Sequence, residues 1–256
     1  MVPPTPSALL LPRLSPRLLA IDCATERLVL AVVCGEQVWR ADEPGAAATS
    51  SRLLPAVMEL LAQAGLQLAD RDAIAFGRGP GAFTGLRSAC SVAQGLALGA
   101  GKPVLAIDSL ALVADEAAHN TATDDDVWVA MDARMDEVYA AAYRAVPAAN
   151  GGTDWQVVEA PALWPLAALA AQWQATPPHC VAGSALAAFG DRLLPSAVAC
   201  RRVAQPTDRA GALARLAVGA WRRGEAVDAA LALPLYLRDK VAMTSAERAQ
   251  RLRAAA

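Results

Sequence analysis

Histidine is almost absent from this sequence, and its scarcity excludes several kinds of active site. The 256 residues include two histidines, His119 and His179, which lie far apart and outside any H-x-x-x-H or H-E-x-x-H pattern. A histidine-based metal site, and catalysis by a Ser/His/Asp or Cys/His set, are therefore not supported. We predict that this chain has no metal site and no catalytic residues of its own.

Paired cysteines and long apolar runs are missing as well. The five cysteines stand singly, with no C-x-x-C motif, mostly in apolar surroundings such as AIDCAT and LAVVCG. Buried, reduced thiols in a cytosolic protein explain this pattern best. The composition is 55% hydrophobic, yet no stretch reaches the about 18 uninterrupted apolar residues of a membrane helix. We expect a cytoplasmic protein that makes no membrane contact.

An excess of positive charge is also lacking. The formal net charge is -2, and the arginines are scattered apart from a few short clusters and the tail. A protein that binds nucleic acid on its own usually carries a basic face. Direct binding of nucleic acid by this chain is therefore disfavoured.

What the sequence does contain is an alternation of strand and helix patterns. Three short strands come first and form an antiparallel meander, and helices and single strands then alternate. The pattern predicts an α/β protein. The predicted strands are residues 17–22, 27–35, 37–42, 72–77 and 102–108, and the predicted helices include 84–100 and 207–223.

Local signals indicate where three further predicted helices begin. In TSSRLLPAVMELLAQAG, leucines and valine recur on one helical face and Pro55 is expected in the first turn. Ser109 is expected to cap the helix that follows residue 108. Thr244 and Glu247 have the spacing of a capping box at the start of a C-terminal helix.

A similar beginning occurs twice along the chain. Asp22 ends a strand and the next strand enters at Leu28, and Asp132 and Val138 repeat this six-residue interval. The polar, acidic segment 120–126 separates the two halves. The shared spacing suggests a duplicated fold of two lobes.

The glycine-rich stretch GRGPGAFTGLR has several interpretations. It does not fit a P-loop in any register, and it fits the dinucleotide motif G-x-G-x-x-[GA] only loosely. In a structural interpretation, its glycines supply positive φ or close backbone approach, and its proline stiffens the turn. In a third, the small-faced helix behind it packs against another protein. The candidate structural residues are Gly77, Gly79, Pro80 and Gly81.

The stretch IDCATERLVLAVV resembles the phosphate-binding hairpin of actin-like and sugar-kinase-like ATPases. In that hairpin, backbone N–H groups and a threonine hydroxyl face the phosphate while an aspartate handles the metal. Asp22 and Thr25 have the required spacing, but Ala24 stands where glycine is usual. We interpret this as a retained fold with a degenerate nucleotide hairpin. An autonomous actin-like ATPase or kinase is the alternative.

Five stretches together resemble the bacterial TsaB family, which is also called YeaZ and was once grouped with the M22 glycoproteases. They are LLAIDCATERLVLAVV, RLLPAVMELL, AIAFGRGPGAFTGLRSACSVAQGLALGAGKPVLAIDSLALVA, AMDARMDEVYAAAY and PLYLRDKVA. The resemblance extends from about residue 18 to 242. The loop motif and DARMDEVY are highly specific for this family.

This resemblance implies a two-lobed, actin-like (ribonuclease H-like) fold with a duplicated β-meander. It also implies a domain organisation. The expected parts are a disordered tail at 1–17, a first lobe of 18–108 plus about 205–242, a second lobe of 109–204, and a C-terminal helical tail at 243–256.

The resemblance further implies a supporting role in forming N6-threonylcarbamoyladenosine (t6A) at position 37 of tRNAs that read ANN codons. The family's related catalytic subunit, of the TsaD type, carries out the transfer, and a TsaE-type ATPase joins the complex. The chain is expected to contact tRNA mainly through that complex and to be capable of pairing with itself. No intrinsic cofactor is expected, and ATP or ADP would lie at the junction with a partner subunit.

Carried over by motif, the partner interface would use the first two helices of the first lobe. One departure concerns Thr49, which stands where many relatives have a histidine just before the first helix. Any role of that histidine is therefore in doubt here. The expected interface residues are Leu53, Leu54, Val57, Leu61, Thr84, Arg87, Ser88, Ser91 and Gly95.

Overall fold

Strands and helices alternate along the chain as predicted. The computed structural model describes residues 15–45, 49–118, 126–148, 152–204 and 207–238. Most of the expected N-terminal tail and the whole expected C-terminal helix, with Thr244 and Glu247, lie outside these residues. The first strand already begins at Arg17, inside the range assigned to the tail.

The strands and helices are numbered here in chain order. The strands are β1 (Arg17–Asp22), β2 (Arg27–Cys34), β3 (Gln37–Pro44), β4 (Ala73–Gly79), β5 (Val104–Asp108), β6 (Val127–Asp132), β7 (Glu137–Pro147), β8 (Thr153–Pro165), β9 (Cys180–Ala182) and β10 (Arg201–Val203). The helices are α1 (Thr49–Gln63), α2 (Phe83–Ala100), α3 (Ser109–Ala118), α4 (Leu166–Ala175), α5 (Ala185–Phe189) and α6 (Arg209–Arg222).

The described strands form two five-stranded sheets of the same topology. The first sheet has the order β3-β2-β1-β4-β5 and the second the order β10-β9-β6-β7-β8. In each, the first three strands form an antiparallel meander, and the last two add in parallel beside the first strand. The chain therefore has the predicted two-lobed, actin-like α/β fold with a duplicated meander.

The two aspartates that suggested a duplication occupy equivalent positions. Asp22 ends β1 opposite Val29 of β2, and Asp132 ends β6 opposite Val138 of β7. Each lies at the carboxyl end of the central strand of its sheet, the edge at which ligands bind in open α/β folds. The sequence spacing thus identified two equivalent hairpins, whose turns meet through an ion pair between Glu26 and Arg134 at 3.1 Å.

Helices α3 and α6 pack between the sheets. Helix α6 contacts β1, β2, β3 and β5, and α3 contacts α6 and strands of both sheets. The apolar cluster around them includes buried residues of both lobes, among them Leu105, Leu213 and Tyr143. Helix α6 thus returns to the first sheet, whereas α3 contacts strands of both sheets. The exact lobe boundary stays a prediction.

Two local predictions were wrong. Helix α1 begins at Thr49, so Pro55 lies in its second turn, on the exposed side, where its missing N–H leaves one carbonyl without a helical partner. Ser109 does not cap α3; the Asp108 carboxylate accepts a hydrogen bond from Leu110 N at 2.9 Å and takes that role. The Ser109 hydroxyl is drawn away into a tertiary contact instead.

Candidate functional site

The glycine-rich loop packs directly against the β1–β2 hairpin. Ala82 N donates a hydrogen bond to Ala24 O at 2.7 Å. A Cβ on Gly81 would overlap this same carbonyl, and one on Gly85 would overlap Cys23 O. Because only glycine permits backbones to approach so closely, the loop and the start of α2 occupy the space beside the hairpin.

The preceding glycines serve the same contact. A Cβ on Gly77 would overlap the Asp22 carboxylate. Gly79 has a φ of +104°, precedes a cis bond to Pro80, and its N–H donates to the Ser109 hydroxyl at 3.1 Å. Gly77 and Gly79 therefore hold the loop against the hairpin and the start of α3.

Asp22 is fully buried and its carboxylate is engaged from several sides. It accepts hydrogen bonds from Ser109 Oγ at 2.9 Å and from Ala24 N at 3.2 Å. The guanidinium of Arg209 donates to it through both Nε and Nη2 at 3.3 Å. A buried carboxylate is tolerated only when paired and hydrogen-bonded in this way.

Arg209, the first residue of α6, supplies the positive charge at this point. Its Nη2 also donates to Ser109 O at 3.3 Å, and its Nη1 lies 3.8 Å from Glu116 Oε2. The side chain is 9% exposed. A fixed guanidinium thus lies beside the aspartate that, in the ATPase hairpin described above, would handle a metal ion.

The remaining groups of the hairpin are also engaged. The Thr25 hydroxyl accepts a hydrogen bond from Arg27 N at 3.3 Å. Burial, followed by the charge of Asp22, raises the pKa of the Cys23 thiol well above its usual value, so this thiol is not poised as a nucleophile. In this arrangement Asp22 links the hairpin to α3 and α6, and Thr25 closes its turn.

Glu116 of α3, which lies beside Arg209, is a buried acid with a raised pKa. Its side chain is almost completely buried, and its Oε1 has no hydrogen-bond partner. Burial raises its pKa to about 7, against the opposing charge of Arg209, with Asp208 and Asp42 as further carboxylates nearby. A group with this pKa changes its charge near neutral pH.

Glu116 predicts a specific pH dependence of stability. Because its pKa is raised from 4.5 to about 7 in the folded chain, the folded state retains a proton that the unfolded state releases. Stability should fall as pH rises through this window. Relative to Glu116→Gln, the wild-type free energy of unfolding should decrease by about 2–3 kcal/mol between about pH 5 and about pH 8.

Urea unfolding of both proteins across this pH range measures the effect. Glu159→Gln, at an exposed position on β8, is the matched control and should leave the pH dependence of the wild type unchanged. Wild-type and Glu116→Gln curves that run parallel would show that Glu116 does not titrate in this window.

The exposed face of α1 differs from the predicted interface. Leu53, Val57 and Leu61 were assigned to the interface but are buried in the core beneath the helix, so a partner cannot reach them in the folded chain. Leu54 and Met58, which are 47% and 54% exposed, form the outer face instead. Thr49 is buried at the start of the helix.

Helix α2 exposes a stripe of small and polar residues next to α1. Ser88 is half-buried, and its hydroxyl lies 3.2 Å from that of Ser50 on α1. The guanidinium of Arg87 lies 3.8 Å from the centre of the Phe83 ring and donates to Tyr236 Oη at 3.1 Å. The predicted residues exposed along this stripe are Thr84, Arg87, Ser91 and Gly95.

Sequence reasoning missed several residues of both regions. Arg209 is 187 positions from Asp22. The sequence signal for its role was a cation in the first turn of a predicted helix. The helix dipole disfavours a cation there unless a tertiary partner compensates. Met58 follows Leu54 by four residues and so shares its face. The apolar residues after α6, Leu231 and Leu233, carried no periodic signal.

The described ranges lack two further kinds of feature. Within them, no three His, Cys, Asp or Glu side chains come together as a group that could hold a metal ion. None of the helices there combines the length and hydropathy needed to span a bilayer.

Comparison with known proteins connects this geometry to a family. The family model of TsaD, tRNA N6-adenosine threonylcarbamoyltransferase, matches residues 43–177. Two crystal structures from Pseudomonas aeruginosa, one described as similar to the peptidase YeaZ and one as YeaZ, are 38% identical to this chain. They superpose with TM-scores of 0.74 and 0.73, and the match covers 87% of this chain and 100% of theirs. The chain belongs to the TsaB/YeaZ family.

Relatives in this family that bear the TsaB name match about half of this chain. The tRNA threonylcarbamoyladenosine biosynthesis protein TsaB of Haemophilus influenzae is 43% identical over 122 residues, which cover 48% of this chain and 51% of that protein. The Escherichia coli TsaB is 43% identical over 129 residues, which cover 50% and 55%. The chain spans about half the length of these curated TsaB relatives.

Proposed function

We propose that this chain is a non-catalytic partner subunit of the machinery that forms t6A at position 37 of tRNAs reading ANN codons. Two kinds of similarity support the pathway: relatives named for tRNA threonylcarbamoyladenosine biosynthesis, and the match to the threonylcarbamoyltransferase family model. The role within the pathway has to be argued from the chain's own residues.

The observation that supports the non-catalytic role is the state of the β1–β2 hairpin, which we call closed because Asp22 is buried and paired. Asp22 is the residue that an actin-like ATPase would use for its metal, and here it is buried and paired with Arg209. The loop from Gly77 to Gly85 packs directly against Asp22, Cys23 and Ala24 of this hairpin. Phosphate chemistry at this hairpin would require the contacts of Asp22 with Ser109 and Arg209 to break. The transfer reaction is therefore better assigned to a partner chain.

The outer face of α1 and α2 is the proposed contact with that partner. Leu54 and Met58 expose apolar surface, and the stripe of α2 beside them is lined by small side chains that let another backbone come close. We propose a TsaD-type transferase subunit as the occupant, with a TsaE-type ATPase joining the complex in the cytoplasm. Any ATP or ADP would lie at the junction between subunits, and tRNA would be held mainly by the complex.

Reconstitution of the modification tests this function. The purified chain alone, supplied with threonine, bicarbonate, ATP and tRNA, should form no t6A, and addition of the other subunits should restore it. Leu54→Arg with Met58→Arg should lower t6A formation by about tenfold or more, because a charge would be desolvated at the contact. Nucleoside analysis of the tRNA by mass spectrometry provides the readout.

The control variant is Val157→Arg, which places the same charge at an exposed valine of β8 in the second lobe. All three proteins should unfold at the same temperature, because the substituted side chains lie on the surface. Robust t6A formation by the isolated chain would refute the non-catalytic role. Full activity of the Leu54→Arg, Met58→Arg protein would refute the assigned face.

A further inference from the structure

The segment that follows α6 runs antiparallel along α2. We call residues 226–238 the strap. Val227 bridges to Val104, Ala229 O accepts a hydrogen bond from Gln94 Nε2 at 3.0 Å, and Ala232 O accepts one from Cys90 Sγ at 3.5 Å. These bonds hold the strap against the side of α2 that is opposite to α1.

The strap exposes large apolar side chains to solvent. Leu231 is 66% and Leu233 72% exposed, and Tyr236 is also exposed beside Arg87. The outward stripe of α2, which contains Ser91 and Gly95, lies between the contact with α1 and the contact with the strap. The surface is therefore formed by three elements, with small side chains along the middle and apolar ones on both sides.

Two arginines that border this surface in the described part of the chain are satisfied by other residues of the chain. Arg52 of α1 pairs with both Glu43 and Glu59. Arg87 stacks on Phe83 and donates to Tyr236. Because Arg52 and Arg87 already have partners, an apolar protein face could bind beside them without desolvating an unpaired ion.

We propose that the strap completes the docking surface for the transferase subunit, with Leu231 and Leu233 packing against that subunit next to the α1–α2 face. This inference rests on the proposed function. The transferase family model matches residues 43–177, which include α1 and α2, so the partner offers a related helix pair to pack there. The strap lies outside the matched range and is this chain's own addition to the contact.

The anchoring of the strap at its end supports this role. Leu235 N donates to Arg78 O at 2.6 Å, which ties the strap to the first lobe. Arg238 Nη2 donates to Ala133 O at 2.8 Å and pairs with Glu137, which ties it to the second lobe. Side chains on a segment held at both ends lose less conformational freedom on binding, which favours tight association.

Titration of the full chain with the transferase subunit tests the proposal. Leu231→Asp with Leu233→Asp should weaken the affinity by about tenfold to a hundredfold, because an apolar contact would be replaced by desolvated charge. The matched control is Val157→Asp with Val158→Asp on β8, two valines that are 50% and 44% exposed. Calorimetry gives the dissociation constants, and thermal unfolding verifies that all variants remain folded.

The outcomes separate the inference from the function on which it rests. Weaker binding by the strap variant and by Leu54→Arg, with the control unchanged, supports the proposal. Wild-type affinity of the strap variant with loss in Leu54→Arg refutes the strap while leaving the proposed function in place. Wild-type affinity of both the strap variant and Leu54→Arg refutes the α1–α2 face as the contact with the transferase subunit. A strap variant that loses only self-association, measured by light scattering, identifies a second copy as the occupant and refutes the proposed one.

Discussion

Arg209→Ala is expected to lower the free energy of unfolding by about 3–5 kcal/mol, because it leaves a buried carboxylate without its counter-charge. Asp22 is fully buried and accepts two hydrogen bonds from the Arg209 guanidinium. Its other donors, Ser109 Oγ and Ala24 N, carry no charge. Urea unfolding monitored by circular dichroism measures the loss.

Two companion variants identify the cause. Arg40 forms an exposed ion pair with Asp208, so Arg40→Ala should cost at most about 1 kcal/mol. Combining Arg209→Met with Asp22→Asn should recover most of the stability, because removing both charges of a buried pair is far less harmful than removing one. If Arg209→Ala is as mild as Arg40→Ala, Asp22 is not held by this pair, and the argument for a closed hairpin fails.

The second large effect is expected at Gly85, in the first turn of α2. A Cβ there would overlap the carbonyl oxygen of Cys23 in the β1–β2 hairpin. The obstacle is a backbone carbonyl in the turn between β1 and β2, which cannot rotate away as a side chain could. Gly85→Ala should therefore destabilise the chain by about 3 kcal/mol, which thermal and urea unfolding both measure.

Gly95 of the same helix provides the matched control. Nothing lies within 4 Å of a Cβ built at this position. Gly95→Ala should consequently raise stability by about 0.5–1 kcal/mol through the higher helix propensity of alanine. Equal effects of the two substitutions would mean that the loop does not approach the hairpin as closely as described.

The alternation of strands and helices could be predicted from the sequence because it depends on local patterns. The apolar run before Asp22 and the brief turn after it are sufficient for a β-hairpin, and the same interval at Asp132 indicated the second one. Boundaries depended on contacts beyond the local pattern. Ser109 was expected to cap α3, but its hydroxyl instead donates to Asp22, 87 positions away.

Hydrophobic periodicity could not determine which face of α1 is exposed for the interface. Leu53 and Leu54 are neighbours in sequence, and both are apolar, yet one faces the core and the other faces solvent. Nearly all apolar residues of the helix had been placed on a single face. Which of two adjacent apolar stripes is buried depends on the sheet beneath the helix, and in particular on the apolar residues of β2 that pack there.

The sequence by itself determined the α/β class, the duplicated hairpins and the family resemblance, because these depend on spacings of a few residues. Only the tertiary structure decided the function of the glycine-rich loop and the state of the hairpin. The loop glycines permit contact with Ala24 and Cys23, and Arg209 reaches Asp22 from the far end of the chain. Such contacts depend on which backbones meet in space, and no local pattern encodes that.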